Sequence, residues 1–294
     1  MREVKVAVTQ MVCTYDKVDN IKRAEGIVRE ASKAGANIIL LQELFSTVYF
    51  CQEYNFDYFS WAETSDCSDF LNSMSELAKE LNVVLPICFF ERDNNIFFDT
   101  IMMIDADGTK LGLYRKTHIP DDPGYYEKFY FTPGNTGFKV WNTKFGYIGT
   151  GICWDQWYPE AARCMALQGA ELILYPTAIG TYAVPHDQIA KASDSRQHWK
   201  NVMIGHAAAN MIPVLASNRI GVEKFEKTSI RFFGNSVIID EFGNIANEMD
   251  DKTEGFIIAE FDLDKLAELR VRKLNYRDRR PECYSRIVTL DGKL

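Results

Sequence analysis

A cysteine, a glutamate and a lysine, far apart in the chain, each stand where an element ends and a side chain can be delivered to a site. Cys153 follows a strand-like run, Lys144 to Ile152, in which Gly149 and Gly151 permit close packing. It precedes Pro159, a residue suited to the first turn of a helix, here Glu160 to Leu167. A thiol at such a turn can feel helix N-terminal N–H groups, which lower its pKa and can bind an oxyanion. Glu43 ends the apolar run Asn37 to Gln42, where the sheet interior becomes its rim. Partial desolvation there raises a carboxylate toward the pKa of a working base. Lys116 ends the run Leu111 to Arg115. Taken singly, each residue also reads as packing or as a solvated charge at a strand end. His118, His186, His198 and His206 lie in no Cys-His signature, so glutamate and lysine are the better partners for the thiol.

The elements that must carry these residues follow a β-α-β rhythm. Val4 to Gln10 alternates as a strand, Asn20 to Lys33 has helical spacing, and Ala36 to Leu41 reads as a buried strand. A second helix spans Ser68 to Leu81 and a second core strand Val83 to Glu91. Phe97 to Asp105 and Lys110 to Arg115 flank a hairpin turn at Asp105-Ala-Asp-Gly108. The second half repeats the first: Gly35 to Leu40 recurs as Gly169 to Leu174, an offset of 134, and Ile104 to Gly108 as Ile239 to Gly243, an offset of 135. Two such halves predict an α/β protein in which two sheets pack face to face with helices outside, a four-layer α-β-β-α sandwich over residues 1–275. Residues 276–294 form a tail whose Tyr276, Tyr284, Ile287, Val288 and Leu290 are too apolar to hang free.

Composition narrows the function classes. The 294 residues are 47% hydrophobic and 25% charged, an ordinary soluble balance with room for a large core. A net charge of −8 argues against nucleic-acid binding. No apolar run nears the roughly 18 residues of a spanning helix, and the N-terminus shows no secretory h-region. Seven cysteines without a CxxC pair and only four histidines give no metal-site pattern and suit reduced thiols in the cytoplasm.

Glu43 on its strand end, Lys116 in Tyr-Arg-Lys-Thr-His and Cys153 in Gly-Ile-Cys-Trp-Asp resemble the Glu-Lys-Cys triad of the nitrilase superfamily of carbon–nitrogen hydrolases. The resemblance runs nearly the whole length, through Glu-Lys-Phe-Tyr-Phe-Thr-Pro-Gly (127–134), Cys-Trp-Asp-Gln-Trp (153–157), Asp-Ser-Arg-Gln-His-Trp (194–199) and Arg-Asp-Arg-Arg-Pro (277–281). It is strongest to the branch that hydrolyses N-carbamoylputrescine. The resemblance implies Glu43 as base, Cys153 as nucleophile, Lys116 and the Trp154 N–H as oxyanion donors, and Glu127 as the group that orients Lys116 or substrate. It implies no metal or organic cofactor, a small N-carbamoyl amine as substrate, and a homodimer or larger assembly, up to an octamer, with the tail at a subunit interface.

One segment departs from that branch, which reads Gly-Ser-Glu-Pro after the strand ending in Pro-Thr-Ala-Ile. Here Thr177-Ala-Ile-Gly180 leads into Thr181-Tyr-Ala-Val-Pro185 and a longer loop to Ser193. The residues expected at the substrate are Tyr49, Asp121, Tyr125, Tyr182 and Asp187, with Asp187 or a Tyr182 cation–π face replacing the lost glutamate and Asp121 and Asp122 as further candidates for that role. Three other readings stay open. One is another N-carbamoyl or ω-amide substrate such as N-carbamoyl-β-alanine, for which Arg196 or Lys191 would matter; the others are a Cys-His hydrolase and a non-catalytic assembly protein.

Overall fold

The computed structural model describes residues 1–293. The first half contains β1 (Glu3–Gln10), α1 (Lys17–Lys33), β2 (Ile38–Leu40), α2 (Asp69–Leu81), β3 (Leu85–Asp93), β4 (Ile96–Ile104) and β5 (Lys110–Arg115). The short α3 (Glu127–Tyr130) leads to β6 (Lys139–Thr143), β7 (Gly146–Thr150), α4 (Pro159–Leu167) and β8 (Leu172–Pro176). Then follow β9 (Val184–Pro185), α5 (Arg196–Asn210), β10 (Val214–Ser217), β11 (Ile220–Lys224) and β12 (Thr228–Phe233). The chain closes with β13 (Val237–Ile239), β14 (Ile245–Glu248), β15 (Gly255–Asp262) and α6 (Leu263–Lys273).

Local chemistry sets the helix ends. The Asp16 carboxylate accepts from the Asp19 N–H at the start of α1, and the Ser68 hydroxyl accepts from Leu71 N–H at the start of α2. Asn82 closes α2 in the left-handed region, at φ 56°.

Strands β15, β1 and β2 form one sheet, continued through a parallel bridge between Ile38 and Val84 into β3, β4 and β5. The second sheet runs β14-β13-β10-β8-β7-β6. Alternation along the strands divides their faces. Val6, Val8, Leu40 and Met103 of the first sheet meet Ile148, Leu172, Leu174 and Leu215 of the second in a shared core. On the outer faces, Ala7 and Ile39 pack on Ala24 and Val28 of α1 and Leu71 of α2. Ile173 and Val214 pack likewise on Met165 of α4 and on Trp199 and Met203 of α5. These are the four layers the sequence predicts, each buried Val or Leu contributing about 1.5–3 kcal/mol. The repeat is visible in detail: Gly108 N–H donates to Asp105 O at 2.9 Å and Gly243 N–H to Asp240 O at 3.0 Å, in matching turns.

Two expected strands are shorter in the structure. Leu41 and Gln42 leave the ladder because the Gln42 side-chain amide takes over the pairing, accepting from Met11 N–H and donating to Met11 O, both at 2.9 Å. Lys144 and Phe145 form the turn between β6 and β7, where Gly146 (φ 137°) reverses the chain. In the tail, Tyr276 docks under Arg163 and donates to Asn210 O at 2.6 Å, whereas Ile287, Val288 and Leu290 are exposed. No helix of the described residues is long and apolar enough to cross a membrane.

Candidate active site

Glu43 lies just beyond β2, where the two halves meet: its N–H donates to Thr177 O at 3.4 Å. Sequence placed it at a partly wet rim, but it is fully buried. The reason is Arg219, itself fully buried, whose guanidinium donates to the carbonyls of Glu43 (3.0 Å), Leu44 (2.6 Å) and Thr47 (2.9 Å) and to Glu223 (2.8 Å). This fan of charge-assisted bonds folds the chain back over the strand end.

Lys116 is held at both backbone groups. Its N–H donates to Asp99 O at 2.9 Å, and its carbonyl accepts from Gly134 N–H at 2.7 Å. A Cβ at residue 134 would sit 2.0 Å from Arg115 O, so only glycine allows that approach. The Lys116 ammonium, wholly buried, reaches Glu43 Oε1 (2.7 Å), Glu127 Oε2 (2.5 Å) and Asp99 Oδ2 (3.3 Å). Burial alone would lower its pKa, but the three carboxylates reverse this and hold it well above the ordinary lysine value. Oxygens of Glu43, Asp99 and Glu127 come within 4.8 Å of one another, a grouping that could suit a metal ion, and the cation they contact is this ammonium.

Cys153 opens a 3-10 turn over Cys153–Trp157 with φ at 39°, a left-handed conformation that strains a non-glycine residue. Asp155 enforces it. Its buried carboxylate accepts from Ile152 N–H (2.9 Å), Tyr114 Oη (2.6 Å) and His118 N–H (3.0 Å), and lies 2.8 Å from His118 Nδ1. The cysteine turn is thereby tied to the segment that carries Lys116. Contrary to the sequence expectation of a lowered pKa, burial and the neighbouring Glu43 push the thiol well above its ordinary value, with Lys116 opposing. A thiol held protonated in this way needs a base. Glu43 has one to offer, because Lys116 engages Oε1 while buried Oε2 has no hydrogen-bond partner among the described residues.

Above the cysteine opens a cavity of about 250 Å³, lined by Cys153, Glu127, Trp154, Trp157, Tyr125, Tyr182, His198 and Asp122, among others. Glu43 and Lys116 lie outside its lining. Glu127 is pushed up to about 7 by burial, against the pull of Lys116, and its Oε1 accepts from Tyr49 Oη at 2.5 Å. Tyr49 therefore reaches the site through Glu127 and does not line the cavity. Tyr125 does, with its hydroxyl donating to Thr181 O (3.1 Å) and accepting from Gly180 N–H (2.9 Å). Asp121 is exposed and outside the lining, because the turn presents its neighbour Asp122 instead. Asp187 is also exposed and outside it, carried off by a 3-10 turn over His186–Lys191. Asp99, Asp155 and Arg219 were not singled out by sequence. Asp155 had a signal within Cys-Trp-Asp-Gln-Trp (153–157) and Arg219 within Ala-Ser-Asn-Arg-Ile-Gly (216–221), whereas Asp99 had none.

Residues 5–271 match the carbon–nitrogen hydrolase family model, and the chain belongs to that family. It is 52% identical to the N-carbamoylputrescine amidase of Oryza sativa, over 99% of this chain and 96% of the relative. It is 49% identical to the citrullinase of Francisella tularensis, over 98% and 99%. A carbon–nitrogen hydrolase from Helicobacter pylori, 36% identical, shares the structure with a TM-score of 0.89 over 98% of this chain and 99% of that one. Saccharomyces cerevisiae Nit3, a nitrilase-superfamily member 24% identical, shares the fold at 0.75, over 92% and 94%.

Proposed function

We propose that this chain hydrolyses N-carbamoylputrescine to putrescine, carbon dioxide and ammonia. The observation that carries the reading is the cavity lining: a cysteine at the floor, acidic and aromatic walls, and no arginine or lysine among the lining residues. Glu43 takes the Cys153 proton as sulfur bonds to the carbamoyl carbon, and Lys116 with the Trp154 N–H stabilises the oxyanion. As the carbon–nitrogen bond breaks, Glu43 returns the proton to the departing nitrogen, leaving an S-carbamoyl cysteine. Glu43 then deprotonates water, which displaces the thiolate. The carbamic acid formed loses carbon dioxide. Glu127, bonded to both Tyr49 and Lys116, orients the ammonium throughout.

The Francisella relative favours citrulline as a second reading. Citrulline and N-carbamoyl-β-alanine both carry a carboxylate, which no arginine or lysine of this lining meets. Ammonia release from the three compounds, with Cys153→Ala as blank, tests the reading. Preference for N-carbamoylputrescine supports it, and preference for either acid overturns it. We further assign residues 1–275 as the hydrolase unit of a cytoplasmic homo-oligomer that supplies putrescine for polyamine synthesis. Residues 276–294 would cover a neighbouring subunit, a placement supported by the exposed Ile287, Val288 and Leu290.

A further inference from the structure

We infer that Asp122 is the anchor for a terminal ammonium group on the substrate, and that it works with the aromatic face of Tyr182 across the cavity mouth. The inference rests on the N-carbamoyl-amine reading above and names the residue that gives it charge selectivity. Two carboxylates line the cavity, Asp122 and Glu127. Glu127 is spent below, one oxygen on Tyr49 and the other on Lys116. The Asp122 carboxylate is half-buried and enters no hydrogen bond or ion pair with any described residue, so its charge is free for a ligand.

The turn that presents Asp122 is fastened to the departing loop. Tyr125 N–H donates to Asp122 O at 2.7 Å, closing a tight turn with Gly124 at φ 85°. A Cβ on Gly124 would fall 2.4 Å from the Ala183 Cβ, so the turn lies flush on that loop. Ala183 N–H donates to Pro123 O at 3.0 Å, and the Tyr125 hydroxyl bonds Thr181 O and Gly180 N–H. The strand pairing of Val184 with Ser229 holds the far side. Asp122 and Tyr182 are thus carried by a single braced wall. An ammonium set between them would gain a charge-assisted bond and a cation–π contact. A substrate ending in a carboxylate would meet repulsion at the same place.

The test compares N-carbamoylputrescine with N-pentylurea, which has the same length but ends in a methyl group. For each enzyme the ratio of kcat/KM on the two substrates is measured. Asp122→Asn should lower that ratio about 10- to 100-fold through KM of the cationic substrate, and Asp122→Glu should restore part of it. Wild type that hydrolyses N-carbamoylputrescine while Asp122→Asn leaves the ratio within twofold overturns the anchor alone. Wild type that fails on N-carbamoylputrescine overturns the substrate reading and the anchor together.

Discussion

The Asp99 carboxylate sits 3.3 Å from the Lys116 ammonium, and both side chains are entirely closed to solvent. Three buried acids thus surround one buried base. Burial, with Glu43 and Glu127 adding to it and Lys116 opposing, pushes Asp99 well above the usual carboxylate range, so it keeps its proton to a higher pH than it would in the unfolded chain. The folded chain then holds a proton that the unfolded chain releases near pH 3.9, to an approximation of about one unit. Stability from this group is complete below that pH and declines as pH rises. Asp99→Asn keeps the shape and removes the titration. Its melting temperature should therefore exceed that of wild type increasingly as pH rises above the ordinary aspartate range. A gap that shrinks with rising pH would show that Asp99 is an anion in the folded protein.

Glu43→Gln should lower kcat about 10²- to 10⁴-fold, since it removes the unpartnered carboxylate oxygen that the protonated Cys153 needs as its base. His198→Ala, at the cavity wall beside Trp157, should cost less than about tenfold by comparison. Ammonia release by the two variants decides between a glutamate and a histidine base.

Glu127 titrates near pH 7, pushed there by burial. As an anion it fixes Lys116, so kcat/KM should rise with pH up to about 7 and then level off. Glu127→Gln should lower the plateau and erase the inflection. A profile that instead falls through neutrality would mean that the neutral acid is the working form.

Asp155→Ala would strand the N–H groups of Ile152 and His118 and the Tyr114 hydroxyl. Chemical denaturation should report a loss of about 3 kcal/mol or more, since each of the three orphaned partners costs about 1–3. Activity should fall further than stability explains, because the strained Cys153 turn loses its clasp.

Deleting residues 285–294 removes the exposed Ile287, Val288 and Leu290 but leaves the Tyr276 contact intact. Light scattering should show a smaller assembly. An unchanged mass would place those side chains away from any subunit contact.

Much of the fold was legible because the signals are local. Ser68 before the apolar spacing of α2, and the Asp-Gly turns at residues 105–108 and 240–243, announce themselves in a few residues. Glu43, Lys116 and Cys153 were legible as strand ends. What escaped depends on distant partners. Asp99 sits in the middle of β4, where a charged residue reads as a solvent-facing position, and only the return of Lys116 shows otherwise. Arg219 reads as a polar turn residue until Glu43, Leu44 and Thr47 are seen to surround it. Asp121 and Asp122 are neighbours, and turn geometry alone decides which faces the cavity. The extent of burial at Glu43 was equally hidden, since no property of its own strand reports what covers its end.

The contact between Glu43 and Thr177 carries a meaning beyond packing. The repeat offset that aligns Gly35 with Gly169 also aligns these two residues, and their backbones touch at the seam. Two identical segments would place the same side chain on both sides of this seam. With glutamate at both positions, two carboxylates would face each other in a dry interior, and only a captured proton could relieve them. Threonine on one side removes that conflict. The two halves share a pattern, but the chemistry is single: at the one pair of matched positions that meet, only Glu43 can act as a base, and it serves one nucleophile.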